Sequence, residues 1–259
     1  MAMRKTLGTC TAAIAVLAAF AAAAIAATVV GTDGPDVLTG TDQPDQLYGE
    51  GGNDTLDGVG GDDYLEAGSG DDQASGERGA DLVIGGTGND AVNAGADNDV
   101  VYAGAGDDSV LGGSGSDTLF GQAGTDQLFG GAGADTLYAS VGGDVADGGS
   151  GPDRLASEAD DATLLGGGGN DVILAEGGNV TVRGGRGGDR IRTGSGDDRV
   201  SGGPGADAIA AGPGDDEVDS RDGTRDRVNC GAGDDAVRAD RIDILSGCES
   251  KLDGGGGIG

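Results

Sequence analysis

The chain has 259 residues, of which 59 are glycine, 46 are acidic and 15 basic; it has no histidine or tryptophan and only seven aromatic residues. A large aromatic core is excluded, as is Ser-His-Asp, Cys-His or histidine-metal chemistry. The formal net charge of −31 repels nucleic acid and anionic membranes, and also the compact chain itself unless cations neutralise it.

Residues 1–27 differ from everything after them. Arg4 and Lys5 form a short basic start, an apolar run extends from Ala12 to Ala27, and Ala24 and Ala26 offer an A-x-A cleavage site. This pattern predicts a secretory signal peptide and an extracellular, secreted product; an uncleaved anchor is the rival, disfavoured because the run is short and Ala-rich. Cys10 precedes the run, where it is misplaced for lipoprotein acylation. Removing Arg4 and Lys5 from the 15 bases leaves 13 against 46 acids. Two cysteines, Cys230 and Cys248, would also remain, and an even pair in an exported protein suggests a disulfide.

From Gly31 to Asp219 the sequence divides into 21 blocks of nine without an insertion or deletion. Three examples are GGTGNDAVN (85–93), GGSGSDTLF (112–120) and GGAGADTLY (130–138). The eighth position is apolar in all 21, from Leu38 to Val218, and the fourth is glycine in 18. The sixth is aspartate in 19: Asp36, Asp45, Asp54, Asp63, Asp72, Asp81, Asp90, Asp99, Asp108, Asp117, Asp126, Asp135, Asp144, Asp153, Asp171, Asp189, Asp198, Asp207 and Asp216. It fails only at Ala162 and Val180. Glycines let a short segment turn tightly and aim carbonyls at one point. A lone apolar residue between variable ones fits a three-residue strand with its centre facing inward. One aspartate per turn beside carbonyls supplies the hard oxygen ligands that Ca²⁺ prefers.

These blocks resemble the RTX, or hemolysin-type, calcium-binding repeat, GGxGxDxUx, over residues 31–238. The resemblance implies an all-β, right-handed parallel β-roll, a solenoid in which two nonapeptides make each 18-residue coil. Several calcium ions would sit between turns two blocks apart, held by turn carbonyls and the sixth-position aspartates. After a one-residue slip in SRDGTRDRVN, Asp226 and Asp235 extend that ligand set. About eleven coils at roughly 4.8 Å each would form a rod of about 50 Å. Without calcium the crowded carboxylates should leave the chain largely unfolded, so that folding follows export into millimolar calcium.

The expected organisation is a β-roll over residues 28–229, a C-terminal cap with the cysteine pair over 230–253, and a disordered tail over 254–259. The first blocks, GTDGPDVLT and GTDQPDQLY, read as an N-terminal cap. A Cys230–Cys248 bridge would close a loop of just under twenty residues and contribute about 3 kcal/mol. Free or catalytic thiols are the rival reading, with no histidine to activate them. No segment is long enough for a second domain, so a non-enzymatic protein is expected. Carboxylate pairs such as Asp107 and Asp108 fall in turns, where ligation or a solvated loop explains them.

Even-numbered blocks should share one sheet. They place Tyr48, Tyr64, Ile84, Tyr102, Phe120 and Tyr138 on one outer face, and Phe129 on the other. Such a stripe suits an adhesin or cell-surface structural protein, the alternative to a plain calcium-binding roll. Ice binding, known for some calcium-bound rolls of this kind, uses a flat ladder of threonine and Asn or Asp, whereas the third turn position here runs through Asp, Gly, Ser, Arg, Thr, Ala and Pro, with threonine only at Thr87. Ten arginines lie between Arg183 and Arg241, where they offset neighbouring carboxylates. Ala162 and Val180 both belong to odd blocks, so the odd column of aspartates should be broken there. The even column should run on, and Leu164 and Val182 should keep the coil wound across the gap.

Overall fold

The computed structural model describes residues 26–140 and 142–251; the basic start, Cys10, most of the expected signal peptide and the expected tail at 254–259 lie outside the described residues. Strands alternate between two parallel sheets of thirteen strands each. One sheet carries the strands of the even blocks, from Thr28–Val30 through Gln46–Tyr48 to Ile244–Ser246. The odd sheet runs from Val37–Thr39 to Ser250–Lys251. As far as Glu217–Asp219 each strand pairs with the one 18 residues on, so that Leu119 lies beside Leu137 and Val110 beside Leu128. This is the parallel β-roll that the resemblance to the nonapeptide repeat implies.

The eighth-position residues meet between the sheets and are buried throughout. A block of nine has one such residue and cannot bury it alone; stacking turns the 21 into a continuous core. First-position residues, among them Ala67, Ala103 and Ala139, fill the core's edge.

Two features depart from expectation. The roll exceeds the eleven or so coils expected, because Thr28–Val30 precedes the first block and strands at Arg227–Asn229, Ala236–Arg238, Ile244–Ser246 and Ser250–Lys251 continue the winding. The segment expected to cap the roll is therefore itself wound into both sheets. Strands from Tyr64 to Ala132 are also six residues long rather than three. There the first three positions of the next block stay in the ladder, as where Gly113 pairs with Gly131.

The one-residue slip is visible as a change of spacing: Ala208 pairs with Arg227, and Glu217 with Ala236. Beyond it, Cys230 and Cys248 form a disulfide with Cα atoms 5.1 Å apart and a separation of 18 residues, the length of one coil. Cys230 is fully buried and Cys248 packs on the core's end. Replacing both cysteines by alanine should cost about 3 kcal/mol. Contacts in a solenoid are between neighbours, so the loss should appear as faster amide exchange in residues 227–251 while the central coils stay protected.

Candidate metal centre

Each sixth-position aspartate closes its turn with the carboxylate directed inward, and all of those in the described roll are buried. One oxygen, Oδ1, accepts a hydrogen bond from the backbone N–H of the aspartate one coil earlier. In the even column the Asp117 N–H donates to Asp135 at 2.9 Å, Asp135 to Asp153 at 2.8 Å, Asp153 to Asp171 at 2.8 Å and Asp171 to Asp189 at 2.9 Å. This relay runs unbroken from Asp45 to Asp226.

The second oxygen is different. From Asp54 to Asp135, and again at Asp153, Asp171, Asp189, Asp207 and Asp216, Oδ2 is buried and has no hydrogen-bond partner. A buried carboxylate oxygen without a donor is costly, and a row of them is costlier, because like charges face each other along the column. Burial, partly offset by the N–H of the preceding coil, pushes Asp63, Asp90, Asp99, Asp153, Asp207 and Asp216 up to about 7. Asp81, Asp108, Asp117 and Asp144 rise to about 6 for the same first reason.

Several first-position glycines hold space open beside these oxygens. A Cβ on Gly130 would come within 2.6 Å of Asp135 Oδ2 and 2.7 Å of the Gly148 carbonyl oxygen; one on Gly112 would meet Asp117 Oδ2 and the Gly130 carbonyl at the same two distances. Carboxylate and carbonyl oxygens bounding one cradle are the donor set of a hard cation, and calcium accepts both. In blocks that begin with Ala67 or Ala103 a methyl takes part of that space. Among the described residues no three His, Cys, Asp or Glu side chains converge on one point, so carbonyls would have to complete each shell.

The first two aspartates of the expected ligand set are placed differently. Asp36 Oδ2 accepts from the Thr32 N–H at 2.6 Å and its hydroxyl at 2.8 Å, and Asp45 Oδ2 accepts from the N–H and hydroxyl of Thr41. Here a threonine supplies what a cation would supply further along. In the odd column Ala162 and Val180 are buried where carboxylates would stand, so the relay stops at Asp144 and resumes where the Val180 N–H donates to Asp198 at 2.9 Å. Pairing of Ala146 with Leu164, Leu164 with Val182 and Val182 with Val200 keeps the coil in register across the gap.

Two roles escaped the sequence reading. Asp243 accepts from the Asp226 N–H at 3.1 Å and Glu249 from the Asp235 N–H at 3.2 Å, so both stand in for sixth-position aspartates outside any recognisable block. Fifth-position side chains form a second, exposed relay of opposite sense: the Asp107 N–H donates to Asn89 Oδ1 at 2.8 Å and the Thr125 N–H to Asp107 Oδ1 at 2.9 Å. Asp107 and Asp108 thus divide the work of one turn. The only sequence cue was the recurrence of Asn or Asp at position five.

Among solved structures the chain is similar to "a hyperactive, Ca2+-dependent, beta-helical antifreeze protein from an Antarctic bacterium", with 19% identity, 92% of this chain and 84% of that chain covered, and a TM-score of 0.38. No curated protein sequence matches it. A profile of the RTX calcium-binding nonapeptide repeat matches repeatedly, in overlapping stretches that together run from residue 30 to 218. With orphaned carboxylate oxygens at the same step along the rod, the match places this chain in the RTX calcium-binding nonapeptide repeat family.

Proposed function

We propose that the protein is an exported, non-catalytic calcium-binding roll in which Ca²⁺ is the structural ligand that permits folding. The buried, partnerless Oδ2 atoms carry this reading: at neutral pH the fold gathers carboxylate oxygens to which no protein group donates and which calcium would satisfy. The aspartates from Asp54 to Asp226 are the proposed side-chain ligands, joined by Asp235, whereas Asp36 and Asp45 are proposed to be served by Thr32 and Thr41. Export rests on the basic start and apolar run of residues 1–27, and it would place folding where calcium is abundant. The absence of histidine and the repeat character of the family support the non-catalytic reading.

Native mass spectrometry of the folded protein in calcium tests the assignment. Asp135→Asn should lower the number of bound ions, and restoring the odd column with Ala162→Asp and Val180→Asp should raise it. Unchanged ion counts in both variants would remove the sixth position from the ligand set. A second reading, surface adhesion, is favoured by one observation: Tyr102, Phe120 and Tyr138 form a continuous stack on the outside of the even sheet.

A further inference from the structure

The outer face of the even sheet does not resemble the rest of this acidic molecule. Among its strand residues Glu66 is the one acid, against Arg154, Arg190, Arg192 and Arg227, all exposed. The odd sheet mixes both signs in its strands, with Asp57, Asp147, Glu217 and Asp219 beside Arg183, Arg199 and Arg238. None of the ion pairs among the described residues involves the four even-sheet arginines. The N-terminal half of the face is aromatic and aliphatic instead, with Tyr102 36% and Tyr138 40% exposed.

The aromatic half has an ordered texture. Rings of Tyr102 and Phe120 stack 4.8 Å apart at 4°, and those of Phe120 and Tyr138 stack 4.7 Å apart at 2°. Neighbouring rings cover each other's inner faces, so the stack turns ring edges outward and leaves a ring face open only at its ends. The stack ends at Ala156, which lies between Tyr138 and Leu174 in the ladder. A cavity of about 310 Å³ opens at this missing rung, lined by Tyr138, Ala156 and Leu174 and rimmed by Glu158 and Glu176.

We propose that this face is the interface of an antiparallel homodimer, with a second copy of this chain related by a two-fold axis that runs parallel to the strands between Arg154–Ser157 and Val172–Ala175. Such an axis sets each strand on one side of it against its counterpart on the other. Leu174 then enters the partner's cavity at Ala156, and by symmetry the reverse. The exposed Arg192 lies beside Tyr138 of the other copy, where Glu158 and Glu176 at the rim of the cavity offer its guanidinium carboxylates. Phe120 meets Ala210, large against small, and Arg154 and Arg190 meet Val172 and Thr136 rather than each other. Among the facing strand residues no like charges are opposed, and Glu158 and Glu176, which the same axis brings together just beyond the strands, have Arg192 beside them. Ten facing strands at about 4.8 Å, some 10–15 Å wide, give on the order of 500–700 Å² per partner. That approaches the roughly 800 Å² per partner of a standard interface.

Sedimentation velocity of the calcium-loaded full chain at micromolar concentration should give twice the chain mass. Leu174→Glu should return it to the monomer, whereas Leu111→Glu, exposed on the odd sheet, should leave the dimer intact. Circular dichroism in calcium reports folding separately, so failure to fold and failure to pair are distinguishable. A bifunctional thiol reagent spanning about 10 Å, the face-to-face spacing of packed sheets, should join the double variant Tyr138→Cys/Arg192→Cys into a covalent dimer, whereas within one chain these positions lie three strands, about 14 Å, apart. Neither single variant should cross-link. A folded monomeric wild type, a dimer that survives Leu174→Glu, or cross-linking through Tyr138→Cys alone would each overturn the arrangement.

Discussion

Chelating calcium at pH 7 is expected to convert the roll into a largely unfolded chain, and acidifying the metal-free chain to about pH 4 is expected to recover part of the β-sheet circular dichroism. The sixth-position aspartates have folded-state values raised above their ordinary one, Asp63, Asp90 and Asp207 to about 7 and Asp81 and Asp226 to about 6, first because they are buried. A carboxyl raised in this direction binds more protons folded than unfolded. Without metal, stability is therefore highest below the ordinary aspartate value near 4 and falls as the pH rises through about 6 to 7. Calcium held at Oδ2, as proposed, would replace the proton there and remove that slope. Each site contributes about 2.7 kcal/mol when free calcium is a hundredfold above its dissociation constant, and several sites in series would dominate folding. A metal-free spectrum that is fully folded at pH 7, or one that loses structure towards pH 4, would contradict this account.

The second large effect is steric. Gly133 has φ of +145°, a backbone region that side chains resist, and a Cβ there would overlap the carbonyl oxygen of Gly115 in the adjoining coil. Gly133→Ala must therefore strain the backbone and push apart two turns that share an aspartate relay. A loss of about 3 kcal/mol or more is expected, combining left-handed strain with the lost stacking. Gly168 is the control, since a Cβ there meets nothing within 4 Å and its φ is not in the left-handed range. Gly168→Ala should be neutral or stabilising by about 0.4–1 kcal/mol through the unfolded chain. Thermal melts of the two variants in saturating calcium make the comparison; equal midpoints would show that turn-to-turn approach does not limit stability.

How far the molecule was legible depended on whether a feature lay within one block. The period of nine, the buried eighth position, the sharing of a sheet by Tyr102, Phe120 and Tyr138, the slip after Asp219 and the gap at Ala162 and Val180 are all properties of residue type at a fixed phase, and the structure has each of them. The Cys230–Cys248 bond was readable from an even cysteine pair. What was hidden arises between coils. The two oxygens of an aspartate are the same in a sequence, yet Oδ1 is committed to the preceding coil and Oδ2 is orphaned. Thr32 and Thr41 look like ordinary turn residues until their hydroxyls are seen on Asp36 and Asp45. Asp243 and Glu249 sit in no block, and only the stacking of the last turns brings them under Asp226 and Asp235.

The strict alternation of sheets gives the chain a parity. Adding or deleting 18 residues in the middle would preserve every kind of pairing, because even blocks would remain even. Adding nine would not: every later strand would change sides, parting Tyr138 from Phe120 and moving Arg192 and Arg227 to the opposite face. The core would scarcely register the difference, since both sheets bury the same kind of residue at the eighth position. The single extra residue after Asp219 is harmless by the same rule, being absorbed in a turn while the next strand still joins its proper sheet. Length can therefore drift in whole coils without altering what each face presents, whereas half a coil would leave a stable roll with its two faces scrambled.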